Sequence, residues 1–260
     1  MRAIGVHEDV LVFTSRVWQT TCTAVRAGGE AFVVDSPILP DELEALGGVL
    51  DQAGFRVAGL LATHADWDHL LGRAAFAGAA LGVAEVSAAR LRAEPGVAQR
   101  ELRAFDEAHY VERPGPLSLG EWQALPVPGT LDVGDRTLEL HPADGHTADG
   151  MAVWIEWAEL LVVGDYVSPV EIPTVAEGGS LEAYRATLRR LRPLVERARV
   201  VVPGHGAVLD RERALELLEE DEAYLGGLAE LGAEAPLPAG RRTGEQRRLH
   251  ALNAARAGGR

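Results

Sequence analysis

Four apolar stretches of this chain each run straight into a residue that can hold a metal ion or move a proton. Ala31–Asp35 closes on Asp35, Val57–Ala62 runs into Thr63-His64, Glu159–Gly164 into Asp165, and Arg199–Pro203 into Gly204-His205. Short apolar runs bounded by turn residues read as buried strands. Between them lie helical spacings. Asp41 to Gln52 follows Pro40 and carries leucines at 43, 46 and 50. Ser180 can N-cap a helix with Leu181, Tyr184, Leu188, Leu191 and Val195 on one face. Strands mixed with helices predict an α/β class, and in such sheets ligands gather at the carboxyl ends of the strands. A fold that aligns these strand ends therefore also builds a site.

The rest of the pattern is consistent with that frame. Val10–Thr14 and Thr21–Val25 read as strands, followed by a Gly28-Gly29 turn, and Thr137–His141 and Ala152–Trp157 read as two more. From Asp68 the spacing turns helical through Ala75. Residues 87–128 are less regular, with two short helical stretches and a Pro-, Gly- and Trp-containing segment, and read as a lid or insertion. Residues 211–225 predict an acidic helix, 226–242 a loop, and Gly244–Arg256 a final basic helix. The division expected is a main domain over residues 1–210 and a helical extension of it over 211–260, whose apolar faces offer a homodimer surface.

Composition narrows the chemistry. The 260 residues carry 39 acidic against 25 basic groups, a formal charge of −14, which argues against gripping nucleic acid or anionic lipid. Every basic residue is arginine, so no Schiff base or lysine general base can form. One cysteine, Cys22, excludes an internal disulfide and a thiolate metal cluster. No secretory signal or bilayer-length apolar run stands out, so a cytoplasmic protein free of the membrane is expected.

The chemistry-bearing residues fall into ordered motifs. Thr63-His64-Ala65-Asp66-Trp67-Asp68-His69 places four donors within six residues on a strand-to-helix turn. Downstream come Asp144-Gly-His146-Thr147, Gly164-Asp165-Tyr166 and Gly204-His205-Gly206, each with a glycine that lets the backbone turn sharply before its donor. Imidazole suits zinc, iron and manganese, while carboxylates suit harder cations and bridge pairs of them. A lone histidine in a loop is usually a surface or packing residue, and His7, His109, His141 and His250 are read that way. Four of the eight histidines at strand ends, in ordered motifs, are not easily a coincidence.

These residues resemble the metallo-β-lactamase superfamily of metal-dependent hydrolases. Residues 64–69 match its HxHxDH motif except at Asp66, where the family usually has histidine, and the pairs at 145–146, 164–165 and 204–205 match its later motifs in order. The resemblance, over residues 5 to 210, implies a four-layer αββα sandwich of two mixed β-sheets, with C-terminal helices. It also implies that His64, Asp66 and His146 hold one divalent ion, that Asp68, His69 and His205 hold a second, and that Asp165 bridges them. Asp68 would orient a hydroxide and accept its proton. Asp35, Thr63 and Thr147 would support the ligands, and Trp67, Tyr166 and Trp18 would line the substrate pocket.

The expected reaction is cleavage of an ester, thioester or lactone-like bond in a small molecule, as in the glyoxalase II-like branch, with zinc as the metal. Asp66 makes iron or manganese an alternative, and with it a diiron oxygen-reducing or iron-dependent dioxygenase protein; a non-catalytic metal-binding module is the third reading. Bridging Asp165 argues against the true β-lactamases, and the absence of lysine weakens the glutathione-thioester reading.

Overall fold

In the computed structural model, which describes residues 1–258, the chain separates into two compact units, Met1–His141 and the residues from Pro142 onward. In the first, the Glu8-Asp9 turn, the Ser15–Thr20 loop and the Gly28-Gly29 turn fold the N-terminal sequence into a meander. It comprises β1 (Arg2–His7), β2 (Val10–Thr14), β3 (Thr21–Ala27) and β4 (Glu30–Asp35), each antiparallel to the next. Helix α1 (Pro40–Gln52) then carries the chain back to β5 (Val57–Leu61), which runs parallel to β4. Helix α1 starts with Pro40 in the first turn, where the missing N–H costs nothing, and buries Leu43, Leu46 and Leu50. After α2 (Gly72–Ala75) come β6 (Ala80–Ala84), α3 (Glu85–Ala93), α4 (Val97–His109) and β7 (Trp122–Leu125). Strands β5, β6 and β7 are parallel, so one mixed seven-stranded sheet runs in the order β1 to β7. The hairpin β8 (Gly129–Val133) and β9 (Arg136–Pro142) follows.

The second unit contains β10 (Met151–Ile155), β11 (Leu160–Gly164), α5 (Leu181–Arg197), β12 (Val200–Pro203), β13 (Leu209–Asp210), α6 (Arg211–Leu231) and α7 (Gly244–Gly258). Every residue of β10 and β11 is buried, which is why these runs are apolar throughout rather than alternating. Strand β10 is antiparallel to β11, β11 parallel to β12, and β12 antiparallel to β13. Strands β8 to β13 make up a second, six-stranded mixed sheet.

Each unit has its own core. Phe13, Val33, Leu46, Leu60, Trp67, Leu102 and Phe105 belong to the first, and Trp154, Leu161, Leu188, Leu191, Val201, Leu217 and Leu225 to the second. Full burial of one such aliphatic or aromatic side chain stabilises the fold by roughly 1.5–3 kcal/mol. Ser180 does cap α5, its hydroxyl accepting from the Ala183 N–H at 3.0 Å.

Several expectations are corrected. The compact units separate at His141/Pro142, and β10 to β12 share a core with α5 and α6. Residues 87–128 are no appended lid: they supply β7, and Leu102, Phe105, Leu117 and Leu119 lie in the first core. Residues 226–231, expected as loop, continue α6 through Gly226-Gly227, because Leu225 and Leu228 bury the same helix face. The strand predicted to reach Trp157 ends at Ile155 in a 3₁₀ turn. The apolar face of α6 is covered inside its own unit; Leu231 and Leu252 remain exposed. Cys22 is free and buried. Among the described residues, no helix is long and apolar enough to cross a membrane.

Candidate metal centre

In the first unit the donors hang from one polar chain anchored at the end of β4. Asp35 takes a left-handed backbone, φ +58°, an uncommon conformation for a non-glycine residue that costs of order 1–3 kcal/mol and that turns its carboxylate towards the neighbouring strand end. Its Oδ1 accepts from the Thr63 N–H at 2.8 Å and its Oδ2 from the Thr63 hydroxyl at 2.9 Å. Because that hydroxyl spends its proton on Asp35, it acts as acceptor towards His64 Nδ1, 3.1 Å away. Asp35 Oδ2 also faces His69 Nδ1 at 3.0 Å. The two rings are thus approached at Nδ1, by Thr63 in His64 and by Asp35 in His69, with Nε2 on the opposite edge. That Nε2 lies 3.6 Å from Asp66 Oδ2 in His64, and 3.5 Å from Asp68 Oδ2 in His69. The strand-to-3₁₀ turn over Trp67–His69 folds these donors together, and donor atoms of His64 and His69 come within 4.8 Å of each other.

Asp66 is held from its other side: Arg90 on α3 places Nη1 2.7 Å from Asp66 Oδ1. Close by, Glu101 on α4 has its carboxyl pushed up by burial first and by the charge of Asp66 next, with Arg90 acting in the opposite sense. Trp67 stacks obliquely on Phe105 at 4.9 Å, and Trp18 packs edge-on against both, at 5.5 Å from Trp67 and 5.1 Å from Phe105. Trp67 is buried in the core, while Trp18 is half-buried on a loop where it and Gln19 both have φ +52°.

The second unit presents its donors by the same device. Gly145 has φ +122°, and a Cβ there would fall 2.1 Å from the Tyr184 backbone nitrogen, so only glycine admits the turn that carries His146. The His146 backbone N–H donates to the Tyr166 hydroxyl at 3.0 Å, and its ring Nδ1 donates to the Thr174 carbonyl at 2.7 Å. Its Nε2 lies 3.3 Å from Asp165 Oδ2. His205 Nε2 lies 3.4 Å from Asp165 Oδ1. A Cβ at Gly204 would sit 2.1 Å from that same Oδ1, so the glycine before His205 clears space for the carboxylate.

The residues flanking Thr174 are held from the C-terminal helix. Asn253 on α7 accepts from the Val175 N–H at 2.9 Å and donates to the Pro173 carbonyl at 2.7 Å, Gln246 accepts from the Ile172 N–H at 2.7 Å, and Arg256 donates to the Val175 carbonyl. Gln246 and Asn253 are both buried. Arg241, 2% exposed, donates to the carbonyls of Ser168 and Glu171 and to the carboxylates of Asp221 and Glu220.

This donor set fits divalent cations. Two donors ~2.0–2.1 Å from one tetrahedral ion stand about 3.4 Å apart. The four imidazole–carboxylate separations, 3.3 to 3.6 Å, match that spacing and exceed the ~2.7–2.9 Å of a charge-assisted hydrogen bond. Two of the four imidazoles have Nδ1 hydrogen-bonded to a protein oxygen, His64 to Thr63 and His146 to Thr174, and His69 Nδ1 lies 3.0 Å from Asp35 Oδ2, contacts of the kind that orient a histidine ligand.

Of the residues singled out from the sequence, Asp35 and Thr63 touch the candidate donors His64 and His69. Thr147 does not: its hydroxyl donates to the Asp149 carbonyl and ties its own turn. Tyr166 is no pocket wall. It is 3% exposed, its hydroxyl donates to the Ala143 carbonyl, and burial pushes its pKa up so that it stays a neutral donor. Arg90, Gln246, Asn253 and Arg241 carry no signal in the linear sequence.

The family description "Metallo-beta-lactamase superfamily" matches residues 15–205, and the chain belongs to that superfamily. Its fold is the αββα sandwich. A metallo-beta-lactamase family protein from Thermus thermophilus superposes with a TM-score of 0.70 at 22% identity, covering 97% of this chain and 93% of that one. A beta-lactamase domain protein from Burkholderia ambifaria gives 0.68 at 21%, covering 98% and 87%. A metallo-beta-lactamase from Pontibacter korlensis gives 0.61 at 19%, covering 84% and 98%. No curated protein matches the chain. Membership is consistent with metal-dependent hydrolysis and with binding of divalent metal.

Proposed function

We propose that the chain is a hydrolase of ester, thioester or lactone bonds in a small molecule, working with two divalent ions, zinc in the first instance. His64, Asp66 and His146 would hold one ion, Asp68, His69 and His205 the other, with Asp165 shared. The family match spans residues 15–205 and so includes all seven. The observation that carries the reading is the set of imidazoles whose Nε2 atoms stand against a carboxylate at metal-ligand spacing.

Bound ions would polarise the attacked carbonyl and make water nucleophilic near neutral pH. The chain's own residues supply the rest. Asp68, 7% exposed, has one carboxylate oxygen directed at His69 and is the group to accept a proton from the attacking water. Asp35 and Thr63 orient the rings of His64 and His69. Trp18, beside Trp67 and Phe105, supplies an apolar wall that favours uncharged or aromatic acyl groups.

The test is a panel of ester, thioester and lactone substrates assayed before and after chelation, then after readdition of zinc or manganese. Turnover on at least one class, lost at least about 100-fold with the metal and regained on readdition, is expected. Activity indifferent to chelation contradicts the reading, as does oxygen consumption with a reductant and no hydrolysis.

A further inference from the structure

Asp66 is this chain's departure from the family motif, and by itself a carboxylate there adds negative charge and a second oxygen donor. The structure answers that addition from α3. Arg90 Nη1 lies 2.7 Å from Asp66 Oδ1, while Oδ2 is directed towards His64 Nε2, 3.6 Å away. The guanidinium is anchored in turn: its Nε donates to Glu94 Oε2 at 3.3 Å, and its side chain is only 18% exposed. One face of the Asp66 carboxylate is thus committed to a fixed cation, and one oxygen is left on the side of the histidine donor.

Resting on the metal-site reading above, we propose that Arg90 is a positioning and specificity-determining residue. By occupying Oδ1 it makes Asp66 a one-atom ligand and offsets its charge, so that the Asp66–Arg90 pair stands in for the neutral histidine of the family motif. A single donor with a compensated charge suits a low-coordinate ion such as zinc. A carboxylate without such a partner can offer both oxygens and suits the oxygen-rich, higher-coordinate preference of manganese or ferrous iron. Arg90 thereby opposes the shift towards harder metals that Asp66 alone would bring. Arg90 is an arginine for a stated reason: its planar fork engages Asp66 through one nitrogen and Glu94 through another, which a single ammonium could not do in the same geometry.

The test reads metal affinity, not activity. Competition with a chromophoric chelator gives the ratio of manganese to zinc dissociation constants for the wild type, Arg90→Met, Asp66→His and the double variant. Arg90→Met should lower that ratio about 10-fold or more, the size of effect expected when an outer partner of a ligand is lost. The bare electrostatic gain from removing a cation raises the affinity for both dications alike and cancels in the ratio. In the Asp66→His background, Arg90→Met should leave the ratio unchanged, because there is no second oxygen to release. A purely structural role for Arg90 would move the ratio in both backgrounds or in neither, and either result overturns the proposal. Arg90→Ala serves under the same criterion if the methionine variant does not fold. A wild type that binds neither metal refutes the metal-site reading itself; a wild type that binds zinc tightly with a ratio insensitive to Arg90 refutes this inference alone.

Discussion

Replacing Arg241 by alanine should lower the unfolding free energy by about 3–5 kcal/mol, the cost of leaving a buried charge without its partner. Arg241 is 2% exposed and Asp221 1%. Their contact is 2.6 Å, and the same guanidinium donates to the Ser168 carbonyl at 3.2 Å and the Glu171 carbonyl at 2.9 Å. Burial already pushes the Asp221 carboxyl up to about 7, with Arg241 pulling the other way. Without Arg241 it must rise further. A carboxyl whose folded pKa lies above its unfolded value of 3.8 loses stability as pH climbs between the two. The deficit of the variant should therefore be largest near about pH 8 and smaller near about pH 5, where Asp221 is protonated in the fold. Urea unfolding at the two pH values measures this. Adding Asp221→Leu to Arg241→Ala should recover a large part of the loss, and a double variant no more stable than the single one contradicts the pairing.

Asp68→Asn should reduce kcat by about 100- to 10,000-fold on any substrate the enzyme turns over, the span typical of a lost general base. Asparagine keeps the size of the side chain but cannot accept the proton of the attacking water. Thermal unfolding should remain close to that of the wild type, since Asp68 is not part of either apolar core. A rate within a few-fold of wild type would remove Asp68 from the chemistry.

The donors are legible in the sequence because each sits where an apolar run stops. Val57–Ala62 cannot continue as a buried strand through Thr63-His64-Ala65-Asp66, and Gly145, Gly164 and Gly204 mark the turns before the other three. What the linear pattern cannot reveal is what holds those donors. Thr174 lies 28 positions from His146, and Asn253 pins that loop from 80 positions beyond Pro173. Neither spacing leaves a periodic trace. Arg90 and Arg241 look like surface cations on polar segments until folding supplies their acidic partners. Tyr166 departs from expectation because a tyrosine following a ligand can face either the cavity or the core, and its side-chain direction is decided by Ala143 and His146. Strand β1 escapes for a different reason: every one of its residues is exposed or half-buried, so no apolar alternation marks it.

The central claim is that the four imidazoles and three carboxylates hold divalent metal. The most direct measurement is elemental mass spectrometry on protein purified without chelator or added metal, repeated after dialysis against zinc, manganese and ferrous salts. About two ions per chain are expected, with zinc retained in preference to manganese. Failure to retain any metal under any of these conditions would contradict the claim.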